Sequence, residues 1–418
     1  MLRNLYSGLL WLVLPLLLLR LLWRSRRAPA YRERWQERIA SYHGSPHPVD
    51  VWIHAVSVGE VQAAQPLIRH LLRAEKSVLV TTTTPTGARR LKDLFDEAVQ
   101  HLYTPFDLRW VMRRFLHLVS PRLVLVMETE IWPNMLAACE ERGIEVILIN
   151  ARLSAGSARG YARVPRFSAE TMHRFRLIAA QSAEDAARFE ALGVLPERLA
   201  VTGSIKFDVE LPGSLMERAE VMRRRWGSDR PVWVAASTRE GEEELVLAAH
   251  DRVRARYPAT LLVLVPRHPE RFDRVAAVIQ RQGLDMVRRS ANEPCREATA
   301  VYLGDTMGEL PVFLAAADIA FVGGSLVPTG GHNLLEAAAV GVPVVIGPHI
   351  FNFAEITRLL IELEAAVQVA DADGLAECLI SWLGDAAERT RVGENGRLAV
   401  EHNRGALNRL ISLIDGHL

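Results

Sequence analysis

Acidic residues stand directly after short apolar runs at two places in the first half of the chain. In METEIWPN, residues 127–134, Glu128 and Glu130 follow such a run, and their i, i+2 spacing puts both carboxylates on one side of a continuing strand. They can form a site, cap a helix or pair with a cation. In HAVSVGE, residues 54–60, a glycine turn is followed by Glu60 at the start of a helical pattern. A carboxylate placed there can take a proton from a hydroxyl, or can simply complement the helix dipole. His54 lies within the apolar run and reads as a satisfied core residue. Lys206 in GSIKFD supplies a cation that can balance negative charge developing in a transition state, or remain solvated.

The second half offers cations and glycines instead. VPRHPERF, residues 265–272, sets Arg267 and His268 at the end of another apolar run, and arginine suits bidentate phosphate contact. AASTREGEE, residues 235–243, places Arg239 similarly. FVGGSLVPTGGHNLLE, residues 321–336, reads as a buried strand, a loop with two glycine pairs and a helix beginning near Asn333. Free N–H groups at such a helix start attract phosphate, and Glu336 can accept hydrogen bonds from a ribose. Many α/β domains carry similar turns with no ligand. No GxxxxGK[ST], GxGxxG or HExxH motif occurs, which removes support for NTPase, dinucleotide-dehydrogenase and zinc-protease chemistry. Asp371 and Asp373 read as a solvent-facing loop before a late helix, and no metal site is expected.

These residues need strands to hold them. VDVWIHA, SVLVTTT, LVLVMET and EVILIN are continuous apolar runs, each followed by a helical segment, and VWVAAS, TLLVLVP, AVYLG, DIAFVGG and VPVVIG continue the series after residue 231. Continuous rather than alternating apolarity marks strands buried on both faces, hence parallel sheets with crossover helices. The chain of 418 residues exceeds one typical core. The expected architecture is α/β, with two Rossmann-like doubly wound domains facing a cleft at the carboxyl ends of their strands. Residues 35–208 form the first domain and 231–418 the second, with the polar stretch 209–230 as linker.

Net charge is +1, but residues 1–210 hold 28 Lys/Arg against 21 Asp/Glu, and the remainder 22 against 28. A basic first half suits an anionic partner, either membrane phospholipid or a phosphorylated substrate. Arg109, Arg113 and Arg114, with Arg89, Arg90 and Lys92, can contribute to that surface. Near-neutral charge and the lack of a recognition motif argue against nucleic acid. Cys139, Cys295 and Cys378 are scattered, which fits a reducing compartment. Residues 5–22 are almost unbroken apolar, close to the length that spans a bilayer core. Arg24, Arg26 and Arg27 outnumber Arg3, so a membrane anchor over residues 1–24 would leave the body in the cytoplasm. A helix lying in the interface with Arg20 snorkelling is the other arrangement.

Taken together, HAVSVGE, TTTTPTG, YTPFD, METEIWPN, INARLS, GSIKFD, AASTREGEE, VPRHPERF, TMGEL and FVGGSLVPTGGHNLLE, in this order behind an apolar N-terminus, resemble the 3-deoxy-D-manno-octulosonic acid (Kdo) transferases of lipopolysaccharide synthesis. The resemblance implies a GT-B glycosyltransferase that moves Kdo from CMP-Kdo to a lipid A precursor, with inversion, at the cytoplasmic face of the inner membrane. It further implies that Glu60 is the base and that Glu130 and Lys206 stabilise the reacting groups. The matching CMP positions are Arg267, His268, Met307, Gly308, Glu309, Asn333, Leu334, Leu335 and Glu336. No cofactor or metal is implied. The competing expectations are another GT-B nucleotide-sugar transferase or epimerase, and a membrane-tethered nucleotide-binding protein without turnover.

Overall fold

The computed structural model describes residues 2–27, 29–42, 44, 46–209 and 211–418. The side chains of Arg24, Arg26 and Arg27, on which the expected orientation rests, lie outside the described residues. The chain divides into two units, one of residues 1–208 with 404–418 and one of residues 209–403.

The first unit is built on seven strands: β1 (Val51–His54), β2 (Val78–Thr82), β3 (Gln100–Tyr103), β4 (Leu123–Met127), β5 (Glu145–Ala151), β6 (Leu177–Ala180) and β7 (Leu199–Val201). They pair in parallel in the order β3-β2-β1-β4-β5-β6-β7. Every residue of β1, β2 and β4 is buried, as their unbroken apolarity requires. One face packs Trp52, Phe115, Val124 and Leu148; the other packs Ile53, Leu67, Val80 and Leu125.

The second unit repeats the plan with β8 (Val232–Thr238), β9 (Leu261–Pro266), β10 (Met286–Arg288), β11 (Val301–Leu303), β12 (Ile319–Val322), β13 (Val344–Ile346) and β14 (Ala366–Gln368). Their order is β10-β11-β9-β8-β12-β13-β14, again all parallel. In each sheet the strand order reverses beside the first strand, between β1 and β4 and between β8 and β12. Crossover helices leave opposite faces of the sheet there, which opens a crevice at the carboxyl ends.

Two boundaries differ from expectation. Residues 209–230 are not a bare linker, because Leu215–Trp226 is a helix whose Leu215, Ala219, Met222 and Trp226 are buried in the second unit. Their i, i+4, i+7, i+11 spacing makes one apolar stripe along an otherwise polar sequence. Residues 404–418 do not stay with the second domain either. The helix Ala406–Asp415 buries Ala406, Leu410 and Ile414 in the core of the first unit, and Asp208 accepts from the backbone of Gly405 and Leu407 at 2.6 and 2.5 Å.

Candidate active site

At the β1/β4 reversal the structure gathers Glu60, Glu128, Glu130 and Lys206. Glu60 opens the helix Val58–Arg73, whose N-cap is Ser57. The Ser57 hydroxyl accepts from the Glu60 N–H at 3.3 Å and donates to Oε1 at 2.8 Å, while the Val56 N–H donates to Oε2 at 2.9 Å. This is a variant of the capping box in which the glutamate reaches the N–H just before the N-cap, and its Ser-x-x-Glu signature stands in the sequence at 57–60. The helix-complementing reading of Glu60 therefore holds, without excluding chemistry, since each carboxylate oxygen keeps a second lone pair. Glu60 is 7% exposed. Burial, and then the neighbouring Glu128, push its pKa up to about 8 despite the Ser57 and Val56 hydrogen bonds.

The acids after β4 separate in their partners. Glu128 sits at φ 55°, a left-handed conformation that costs a non-glycine residue on the order of 1 kcal/mol or more, and its Oε1 lies 2.6 Å from Lys206 Nζ. Lys206 is delivered by a return of the chain after β7: the Ile205 N–H donates to the Oδ1 of buried Asn150 at 3.2 Å. Glu130 accepts from Trp132 Nε1 at 2.8 Å, and burial holds its pKa above the usual carboxylate range. The Trp132 ring meets His54 edge-on at 4.8 Å. His54 is fully buried, bonded through Nδ1 to Thr81 Oγ1 at 3.0 Å, and burial drives its pKa down to about 3, so it stays neutral. Its Nε2 has no hydrogen-bond partner among the described residues.

Three carboxylates thus share one ammonium in a largely buried place. They cannot all ionise cheaply, so one holds its proton near neutrality, as a group must that is to receive protons there. The structure brings Glu60, Glu130 and Lys206 together, as expected, and adds Glu128 as the lysine's direct partner.

At the β8/β12 reversal the charges invert. Arg239 follows β8 and reaches two imidazoles, through Nε to His332 Nε2 at 3.2 Å and through Nη1 to His268 Nε2 at 2.5 Å. Arg267, whose N–H donates to the Thr238 carbonyl at 3.1 Å, acts on the same group: it helps depress His332, and it partly offsets the burial that raises the pKa of Glu336. Burial and the guanidiniums bring His332 down to about 3, and they depress His268 as well. Two fixed positive charges, two neutral rings and one carboxylate form a site for an anion. His332 was not picked out from sequence, and Arg239 only as an arginine at a strand end. Arg239 directly follows β8 and His332 follows the second glycine pair, ten residues past β12, and only the pairing of β8 with β12 shows that they meet.

The turn of the first glycine pair holds an internal carboxylate. Buried Glu242 accepts from the N–H groups of Gly324 (2.6 Å), Ser325 (3.0 Å), Leu326 (2.9 Å) and Arg239 (3.1 Å). The amides of the first glycine pair's turn are committed to an internal carboxylate. A Cβ on Gly323 would stand 2.8 Å from Glu242 Oε2, so that glycine is required by the carboxylate's approach. The following helix starts at Leu335 rather than Asn333 and ends at Ala339. Asn333 Oδ1 takes the Leu335 N–H at 3.1 Å, and the Leu334 and Leu335 side chains are fully buried, leaving only backbone atoms to face a ligand.

Met307, Gly308 and Glu309 follow β11 on the same carboxyl edge. Met307 is exposed and Gly308 has φ 79°. Glu309 is clamped by Arg289 at 2.9 and 3.0 Å and by the Thr306 hydroxyl at 2.5 Å, which holds it below the usual carboxylate range. Among the described residues, no hydrogen bond or ion pair joins it to Arg267 or His268.

Two doubly wound parallel sheets, each with a charged cluster at its reversal point, define the GT-B fold. MurG of Acinetobacter baumannii shares the fold over 89% of this chain and 99% of its own, with a TM-score of 0.55 at 12% identity. Residues 33–209 match the family 3-deoxy-D-manno-octulosonic-acid transferase (kdotransferase), and residues 229–399 match glycosyl transferases group 1. The 3-deoxy-D-manno-octulosonic acid transferase of Haemophilus influenzae is 43% identical over 100% of this chain and 99% of its own. That of Bordetella pertussis is 39% identical over 95% and 96%. The chain belongs to the 3-deoxy-D-manno-octulosonic acid transferase family, and is a glycosyltransferase that moves Kdo in lipopolysaccharide synthesis.

Proposed function

We propose that the donor is CMP-Kdo and the acceptor a lipid A precursor of the lipid IVA type, with the reaction at the cytoplasmic face of the inner membrane. The observation that carries this reading is the Glu60 carboxyl, held near pKa 8 beside Glu128 and Glu130 in the part of the chain that matches the Kdo transferase family. Ionised Glu60 takes the proton of the acceptor hydroxyl. The oxygen's electron pair forms the new bond to the anomeric carbon of Kdo while the bond from that carbon to the phosphate oxygen breaks. CMP departs with the bonding pair, and the centre inverts. Lys206, steered by Glu128, offsets negative charge near the reacting groups, and Glu130, fixed by Trp132, shapes the field around Glu60.

On the donor side, Arg267 and His268 hold the phosphate with Arg239 and His332 beside them. Glu336 and the backbone of 333–335 take the ribose and base, with Met307, Gly308 and Glu309 lining the same strand edge. The chain's own guanidiniums supply the positive charge that the leaving phosphate needs. The apolar helix Leu2–Trp23, long enough by length and composition to cross a membrane, keeps the enzyme where acylated acceptors reside.

The test is incubation of the full chain with CMP-Kdo and a tetraacylated lipid A precursor, with products weighed by mass spectrometry and CMP release followed. Acceptor mass should rise by whole Kdo units, and CMP should appear only when acceptor is present. Turnover of a UDP-sugar instead, or binding without CMP release, would favour the competing readings.

A further inference from the structure

The N-terminal helix Leu2–Arg27 is docked on the folded unit from its first turn. Tyr6 Oη donates to Asp107 Oδ2 at 2.9 Å, and Ser7 Oγ to Asn134 Oδ1 at 3.1 Å. Arg109 Nη1 donates to Asn4 Oδ1 at 3.0 Å, and Arg3 reaches Glu141 at 3.4 Å. Leu10 and Leu14 pack against the core, and Trp11 stacks on Trp110 with centroids 6.5 Å apart. The helix's other end is held too. Arg32 Nε donates to Ser25 Oγ at 2.7 Å, and a few residues on Glu37 accepts from the Tyr103 N–H of β3 at 2.8 Å.

Most of the strongly exposed apolar residues lie on the opposite face, with Trp11 and Leu22, also more than half exposed, to one side of it. Leu5, Leu9, Leu12, Leu16, Leu19 and Trp23 are all more than half exposed. At 100° per residue they fall within roughly 40° of one line, and Arg3, Ser7, Leu10 and Leu14 centre about 180° away. One face is therefore committed to the protein, and the other is a leucine stripe running the length of the helix. Arg20 lies exposed at the edge of the stripe.

We propose that this helix does not cross the bilayer but lies in its interface, leucine stripe in the lipid, with Leu2 on the same side of the membrane as the enzyme body. A crossing helix would carry Asp107, Arg109, Asn134 and Glu141, which hold its first turns, through the hydrocarbon, at a cost of several kcal/mol per charge. The folded unit holds the first turns, and the far end is tied through Ser25 to Arg32, from which the chain enters the same unit at Glu37; that unit cannot stand on both sides of a membrane. Lipid is the occupant that fits the stripe. It is continuous over the whole helix and edged by tryptophan and arginine, the residues that settle at the level of headgroups.

This refines the membrane attachment proposed above, and the two ideas fail separately. Flotation of the full chain with phosphatidylethanolamine/phosphatidylglycerol vesicles tests attachment, and Leu12→Lys with Leu16→Lys should cut the floating fraction at least about tenfold. Failure to float, with a stable dimer in its place, would make a second copy the occupant and overturn the lipid assignment. Orientation is read by an impermeant maleimide on sealed inverted and right-side-out membranes carrying Leu2→Cys, with exposed His117→Cys as the body reporter, labelled sites being identified by mass spectrometry. Both cysteines should react from the same side. Reaction of Leu2→Cys only from the side opposite His117→Cys would establish a crossing helix and refute the proposal. Neither substitution touches the docking contacts, so neither result depends on a disturbed fold.

Discussion

The two sheets of this enzyme share a strand order and put their charged clusters at the same topological place, yet burial works in opposite senses at the two. After β1 and β4 it raises a carboxyl to about 8, leaving an acid that can change protonation at neutral pH. After β8 and β12 it drives His332 to about 3, leaving neutral rings around guanidiniums that never lose their charge. One environment makes a group able to exchange a proton near neutral pH, and the other a fixed positive field suited to an anion. The residue types chosen at equivalent strand ends decide which results.

The largest effect should come from the first cluster. Glu60→Gln keeps the shape and one accepting oxygen but cannot take up the proton, so kcat should fall roughly 10²- to 10⁴-fold with CMP affinity unchanged. Normal transfer by this variant would erase the contrast between the clusters. Stability should move the other way. A carboxyl raised in the folded state from 4.5 to about 8 gives a stabilising contribution that is complete below about 4.5 and lost as pH climbs through 8. At pH 9, chemical denaturation should therefore find the Gln variant at least as stable as the parent. Transfer is best where the folded state bears the cost of ionising this group.

Next in size, Glu242→Ala should strand the four backbone N–H groups that the carboxylate now accepts, at a cost of about 3 kcal/mol or more, read from the denaturation midpoint. Arg267→Ala should be milder for the fold and specific for the donor, raising KM for CMP-Kdo about ten- to a hundredfold with a smaller change in kcat. If Arg267→Ala changed kcat alone, the second cluster would act on the transition state rather than as a binding field.

Much of this architecture was legible in the sequence because buried parallel strands write themselves as unbroken apolar runs. VWIH, VLVTT, LVLVM and LLVLVP fall inside β1, β2, β4 and β9. The short strands β3, β6, β7, β10 and β14 were missed, since three or four residues at or near a sheet edge, with Gln100, Arg288 and Gln368 among them, carry no such signal. Glu60, Glu130 and Lys206 were recognisable from motif and strand-end position. What those signals could not carry was partnership. Lys206 with Glu128, Arg239 with both His268 and His332, and Glu242 with the glycine loop are pairings set by which strands lie side by side. The glycines misled for a physical reason: close approach of a carboxylate demands the same missing side chain as close approach of a phosphate.

The smallest effect is the most diagnostic for the first cluster. Ser57 donates to Glu60 Oε1 and so holds its pKa lower than burial alone would. The group remains protonated at low pH, so kcat/KM should fall as pH drops through about 8, tenfold per unit well below that value. Ser57→Ala removes the hydrogen bond to the charged form and with it the helix cap, at about 1 kcal/mol of stability. The fall should then begin at a higher pH than in the parent, while the rate on the alkaline plateau is nearly kept. A purely structural role for the cap would lower stability and leave the pH profile in place, so displacement of that limb separates a carboxyl that titrates in the reaction from one that merely closes a helix.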